Sequence, residues 1–171
     1  MSYKLLTFSN PKIQKSNKVY SNYLSAIVHM SPINTKICPY QDIAGCKEAC
    51  LNTAGRGGIM KKGETTNVIQ EARKRKTKLY LEDRDTFMSY LISDIIKFDN
   101  YCKKKDKLPC LRLNGTSDIQ WETIYVDDKN IFELFPHIQF YDYTKIPTRK
   151  IADIPNYNLT WSYSAFNPKY A

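Results

Sequence analysis

Residues 23–58 read YLSAIVHMSPINTKICPYQDIAGCKEACLNTAGRGG, and the order of features in this stretch decides the fold. YLSAIVHM (23–30) is rich in β-branched and aromatic residues and holds no breaker, so it reads as a strand. Ser31-Pro32 ends it. A polar loop follows, carrying Cys38, Cys46 and Cys50 in the spacing C-x7-C-x3-C and closed by Gly55, Gly57 and Gly58. From about Thr65 the pattern turns helical. Strand, polar loop and helix in succession form a βα unit, with the cysteines at the C-terminal end of its strand.

The rest of the chain extends this arrangement. YKLLTF (3–8) reads as a short strand and SNPKIQKSNK (9–18) as a polar turn region. The helix over 65–81 places Val68, Ile69, Ala72 and Leu79 on one face, with Arg73, Lys74, Lys76 and Lys78 largely outside it. A second helix begins near Asp83 or Asp85, either of which can accept the first free N–H groups. Its stripe of Phe87, Met88, Leu91, Ile92, Ile95, Phe98 and Cys102 is wide and apolar, which makes Cys102 a core residue. CLRLNG (110–115), HIQFYDYT (137–144) and NYNLTWSYSA (156–165) read as strands, with a helical turn at Phe132–Phe135. Strands alternating with helices predict an α/β fold with a mostly parallel sheet. Residues 1–171 read as a single domain, with a C-terminus that stops soon after a strand and so looks truncated.

Thiolates bunched in one loop hold a metal or an iron–sulfur cluster, and three of them leave one coordination position open for chemistry. A reactive or redox thiol group, disulfides and plain packing are the competing explanations. The N-terminus carries no apolar signal segment, which argues against an oxidising compartment. Packing cysteines fall on apolar stripes, whereas these lie among Pro39, Gln41, Asp42, Gly45, Lys47 and Glu48. The expected cofactor is an iron–sulfur cluster of the 4Fe–4S type on Cys38, Cys46 and Cys50, with zinc as the alternative.

Each later strand also runs into polar residues at its C-terminal end, where parallel α/β sheets bind ligands. Asn114, Thr116, Ser117 and Asp118 follow one strand, with Gly115 among them. Tyr141, Asp142, Tyr143 and Lys145 close another, and Ser162 and Ser164 a third. This convergence predicts one site, with Asp118, Asp142 and Lys145 as catalytic residues and Asn114, Thr116, Ser117, Tyr141 and Ser162 as substrate-binding residues. Two plainer readings stand beside it. Asn114–Asp118 also suits a helix cap, and Asp142 also suits a buried carboxylate satisfied by Arg112 or Lys145. Gly55-Arg56-Gly57-Gly58 is either an anion-binding nest of N–H groups or a plain turn.

The net charge is +9, from 26 Lys and Arg against 17 Asp and Glu, which favours anionic partners. Lys61–Lys78 holds seven of the basic residues and reads equally as a phosphate-binding patch for nucleic acid or as a solvated helix face. No apolar run is long enough to span a membrane. Ser-His-Asp order, HExxH, Walker A and GxGxxG are all absent from the sequence.

Taken together, the motifs Asn10-Pro11-Lys12, YLSAIVHMSP, the CP…GCKEACLNTAGRGG loop, EARKRKTKLYLEDRDTFM, LRLNGTSDIQWE, LFPHIQFYDYTK and NYNLTWSYSAFN cover nearly the whole chain. In this combination the chain resembles the "gene product eighty-eight"-like family of phage and large-virus proteins, a domain of unknown function. The resemblance implies a viral or prophage origin, hence the cytoplasm of an infected host cell or a place in the virion. It also implies a partial, TIM-like (β/α) barrel loosely similar to that of radical-generating iron–sulfur enzymes. The loop spacing departs from the C-x3-C-x2-C signature of S-adenosylmethionine radical enzymes, so that cofactor does not carry over. The resulting expectation is an iron–sulfur protein, a redox or cluster-dependent enzyme acting on a small molecule. The alternative is a zinc-stabilised module that binds nucleic acid through Lys61–Lys78 or joins the virion.

Overall fold

A computed structural model describes residues 4–8, 11–20, 22–32, 34–47 and 50–164. Its frame is a five-stranded sheet in the order β1-β2-β3-β6-β7. β1 (Leu6–Thr7) runs antiparallel to β2 (Tyr23–Val28). β2, β3 (Leu108–Arg112), β6 (Gln139–Thr144) and β7 (Tyr157–Trp161) are all parallel. The fold is therefore mixed α/β with a mostly parallel sheet. The sheet is open, and no closed barrel forms among the described residues. Tyr3 and Ala165, the outer ends of two expected strands, lie outside the described residues.

Strand alternation gives the sheet two unlike faces. Leu24, Ala26, Val28, Leu111, Leu113 and Phe140 face the main core. There they meet α3 (Arg84–Lys104), whose Phe87, Leu91, Ile95, Phe98 and Cys102 are buried as the 3.6 period demands. Asp83 caps this helix by accepting the Thr86 N–H at 3.1 Å. The second face carries Ser25, Ile27, Cys110, Arg112, Tyr141 and Tyr143 and is partly covered by α1 (Pro11–Val19).

Helix α1 replaces the polar turn expected at 9–18. Proline at the first helical position is already set to helical φ. Ile13 is the one strongly buried apolar anchor among the side chains described on α1, too little to write a periodic stripe into the sequence.

A second correction concerns α2 (Val68–Glu82). Val68 is 84% exposed, and the buried positions are Gln70, Thr77 and Tyr80. Tyr80 joins the core, while the rest of the inward face is polar because it meets backbone. Thr77 accepts the Ser31 N–H and donates to the Ser31 carbonyl, and Lys76 Nζ donates to the Leu5 carbonyl at 2.7 Å. An apolar stripe would have left those backbone groups unsatisfied.

Residues 125–130 form a hairpin that the sequence pattern does not announce, between β4 (Tyr125–Val126) and β5 (Lys129–Asn130). Asp127 and Asp128 both have positive φ, as a two-residue turn of the primed type needs. Asn130 then opens α4 (Ile131–Leu134) through a capping box with Glu133.

Gly115 follows β3 where the chain crosses the end of β2. Its N–H donates to the Val28 carbonyl at 2.9 Å. A Cβ here would lie 2.5 Å from that carbonyl oxygen and 2.6 Å from His29 Nδ1 and from an Ile27 methyl. Gly115→Ala is expected to destabilise the protein by about 1–3 kcal/mol, because the obstacle includes backbone that cannot swing aside. Chemical denaturation checks this, and a loss below about 0.5 kcal/mol would mean the crossing has slack.

Candidate functional site

The cysteine segment is built from turns. The N–H groups of Ile37 and Cys38 donate to the Asn34 carbonyl, and Cys46 N–H to that of Gln41. Gly45 takes a positive φ of 62° just before Cys46, where a side chain would be strained. Ile37 and Ala44 are buried and anchor the segment. Cys50 opens a 3-10 turn over Leu51–Thr53, and its Sγ accepts the Asn52 N–H at 3.4 Å. Arg73 of α2 reaches beneath this turn, with Nη1 donating to the Asn52 carbonyl at 2.7 Å and its side-chain oxygen at 3.0 Å.

Gly55–Gly58 form a second 3-10 turn, packed closely against the first. A Cβ on Gly57 would sit 2.6 Å from the Asn52 carbonyl oxygen and 2.9 Å from Arg73 Nη1. The carbonyls of Gly57 and Ile59 are bound by Asn67 Nδ2 at 3.1 and 2.9 Å, fastening the loop to the N-cap of α2.

Cys38, Cys46 and Cys50 line one cleft of about 400 Å³ at the C-terminal ends of the parallel strands. Asn114 to Asp118 form its second wall, and Tyr143 to Lys145 with Ser162 to Ser164 its third. The structure thus brings the thiols together with Asn114, Thr116, Ser117, Asp118, Lys145 and Ser162. All five cysteines are free thiols. Burial, then the Asp118 carboxylate and the two neighbouring thiols, push the Cys38 thiol up to about 12. Burial also raises Cys46, against the pull of the Lys145 ammonium.

Two expected residues stand elsewhere. Tyr141 lies on the α1 side of the sheet and lines a different cavity. Asp142 is 1% exposed and behind the cleft wall. It accepts the Asn114 N–H at 2.8 Å and the Tyr157 hydroxyl at 3.3 Å, with Arg112 Nε 3.8 Å away. This is the satisfied buried carboxylate of the plainer reading.

Asn114 organises the wall as a hub. Its Oδ1 accepts from Ser117 Oγ at 2.9 Å, Ile119 N–H at 2.9 Å and Trp121 Nε1 at 3.1 Å. Its Nδ2 donates to the Ile119 carbonyl at 2.9 Å. Thr116 donates to the Met30 carbonyl at 2.5 Å. The side chains of Asn114, Thr116 and Ser117 are therefore engaged in shaping the cleft. Asp118 is braced too, by Thr144 Oγ1 at 2.7 Å and the Lys145 N–H at 2.8 Å.

Arg149 escaped the sequence reading. Its side chain is 1% exposed. Its Nε and Nη2 hold Glu122 at 2.8 and 2.6 Å, Nη1 reaches Asp118 at 3.4 Å, and Nη2 also donates to Tyr157 Oη at 2.9 Å. Arginine among Thr148, Lys150 and two prolines looks like surface loop, and only the tertiary fold turns it inward.

Burial is the main cause that pushes Asp142 up to about 7, with the Asn114 N–H, Arg112 and Arg149 opposing. The sign follows from proton counts. Between about pH 4 and 7 the folded protein holds a proton on Asp142 that the unfolded chain has released, so this group makes stability fall as pH rises. Asp142→Asn is expected to flatten that descent. Thermal melts of both proteins from pH 4 to 8 test it, and parallel curves would contradict the assignment.

A family model described as gene product 88 matches residues 4–171. The chain belongs to the gene product 88 family. No curated protein and no solved structure matches it. For this gene product 88 protein, site chemistry therefore rests on its own geometry.

Among the described residues no group of three or more His, Cys, Asp and Glu side chains is placed to hold a metal ion. No helix among them is long and apolar enough to cross a membrane. The basic side chains of α2 do not all lie on one face. Arg73 and Lys76 are turned inward, Lys74 pairs with Glu71 at 2.8 Å, and Lys78 lies 3.9 Å from Glu82.

Proposed function

We propose that Cys38, Cys46 and Cys50 hold an iron–sulfur cluster and that this gene product 88 protein is a cluster-dependent or redox enzyme acting on a small molecule. One observation carries the reading: the thiols and the polar ends of three parallel strands line a single cleft. Three thiols on one cleft are the donor chemistry such a cofactor takes, and their side chains, not yet grouped to grip a metal ion, would have to turn toward it. Cys50 Sγ already accepts a backbone N–H, the kind of contact that tunes cluster potentials. Arg73 stands close enough to Cys50 and Lys145 to Cys46 to interact electrostatically, so cations offset thiolate charge. A bound cluster supplies electron transfer or an open iron as Lewis acid.

The chain's own groups do the rest. Lys145, whose Nζ donates to the Tyr163 carbonyl at 2.6 Å, presents positive charge at the mouth of the cleft. Asp118, fixed by Thr144 and Lys145, holds a carboxylate beside Cys38. Ser162 lines the opposite wall. In this reading the open sheet is one side of a (β/α) barrel, and the protein works in the cytoplasm of an infected cell.

Anaerobic purification followed by iron and sulfide analysis tests the proposal. Serine at Cys38, Cys46 or Cys50 is expected to abolish iron and sulfide binding, while Cys102→Ser leaves it intact, since Cys102 is buried in the core. Stoichiometric zinc with no sulfide would replace the cluster with a structural zinc site.

A further inference from the structure

A second cavity, of about 450 Å³, lies on the α1 side of the sheet. Its volume is in the range of small-molecule sites. Ile13, Ser16 and Tyr20 of the α1 region form one wall, and Tyr23, Cys110 and Tyr141 of the strands form the other. At its end stands Arg112, which also lines the cysteine cleft together with Tyr143.

Arg112 is held but not used up. Its Nε donates to the Asn114 carbonyl at 3.1 Å, and its guanidinium lies 4.9 Å over the Tyr143 ring. The nearest carboxylate, Asp142, is 3.8 Å away on the Nε side. Its two terminal nitrogens make no hydrogen bond among the described residues. A planar fork with free terminal donors, locked by stacking and by its Nε bond, matches a carboxylate or phosphate in two-point contact. Nothing anionic opposes it from the cavity walls. Burial raises the Cys110 thiol to about 11 and raises the Tyr141 phenol, so both stay neutral at physiological pH. The tyrosines supply flat apolar surface for a ring, with hydroxyls at their ends.

We propose that this cavity binds a small aromatic anion, its acid group on the terminal nitrogens of Arg112 and its ring against Tyr20, Tyr23 and Tyr141. The inference does not depend on the cluster. An anion seated on Arg112 stands where the two cavities meet, within reach of the cysteine cleft.

Calorimetric titration of the full chain with phenyl phosphate and with benzoate tests this, with inorganic phosphate and phenol as probes that lack the ring or the charge. At least one aromatic anion is expected to bind saturably, ten-fold or more tighter than phosphate and phenol. Whichever of the two binds identifies the acid group. Arg112→Gln is expected to weaken that binding ten-fold or more. Ser16→Trp, which fills the cavity from the α1 side and leaves the Arg112 side chain in the protein, is expected to abolish it while the melting curve is retained. The proposal is overturned if neither aromatic anion binds, if phosphate or phenol binds as tightly, or if Arg112→Gln binds like the parent. Should Arg112→Gln not fold, unchanged affinity in Ser16→Trp overturns it equally. Iron and sulfide content is a separate readout, so either proposal can fail alone.

Discussion

Arg149→Ala is expected to lower stability by about 3–5 kcal/mol, the cost of stripping a buried charge network of its cation. Arg149 is the shared partner of Glu122, Asp118 and Tyr157. Glu122 and Asp118 are 7% and 4% exposed, so without the guanidinium two carboxylates remain in a low-dielectric pocket with little water. For a chain of this size such a loss lowers the melting temperature by roughly 6–20 °C. Removing the anion as well separates charge from packing. Arg149→Met combined with Glu122→Leu is expected to recover part of the loss, because only Asp118, still held by Thr144 and the Lys145 N–H, is then left without the cation. Thermal and urea unfolding of the two variants decide the matter. A loss under about 1 kcal/mol for Arg149→Ala would show that the carboxylates find water or protonate at little cost.

Asn114→Ala is expected to cost about 3 kcal/mol or more and to disorganise the cleft. One side-chain oxygen accepts from Ser117, Ile119 and Trp121, and the amide nitrogen satisfies the Ile119 carbonyl. Each buried group left unpaired costs about 1–3 kcal/mol. Asn114→Asp separates the two halves of the amide. It keeps the acceptor, loses the donor, and adds a charge beside Asp142, whose Oδ2 lies 3.4 Å from Asn114 Nδ2. It should therefore remain destabilised, and increasingly so as pH rises. Stability together with iron uptake after anaerobic reconstitution is the informative pair of measurements. An Asn114→Ala protein with parental stability would remove the hub.

Much of the frame was legible in the chain. β2, β3, β6 and β7 carry their composition openly, and α3 displays an apolar stripe of period 3.6 that its burial follows, with Ile92 only partly covered and Asp99 buried beside it. Cys102 is the clearest case, a cysteine on such a stripe and fully buried. Helix α1 was not legible, because a helix with little apolar burial has no period to read. The inner face of α2 was misread for a related reason. Its task is to satisfy loop and strand backbone, so Gln70, Arg73, Lys76 and Thr77 point inward where pattern logic puts apolar residues.

The candidate site divides along the same line. Parallel strands present their C-terminal ends at one edge of the sheet, so the order of strands and polar clusters was sufficient to gather the cysteine loop, Asn114–Asp118, Lys145 and Ser162 around one cleft. What each polar side chain does there is set by partners distant in sequence. Asn114, Thr116 and Asp142 look like ligand-binding residues in a list, yet they spend their hydrogen bonds on Trp121, Met30 and Tyr157. Arg149 and Arg112 gain their importance from neighbours brought up by packing: a buried pair of carboxylates for one, a cavity with two free donors for the other. Local pattern and strand order determined which residues meet. Only the tertiary structure decided which of them were left with hydrogen bonds to give, because satisfaction of a buried polar group is a property of its surroundings and not of its place in the chain.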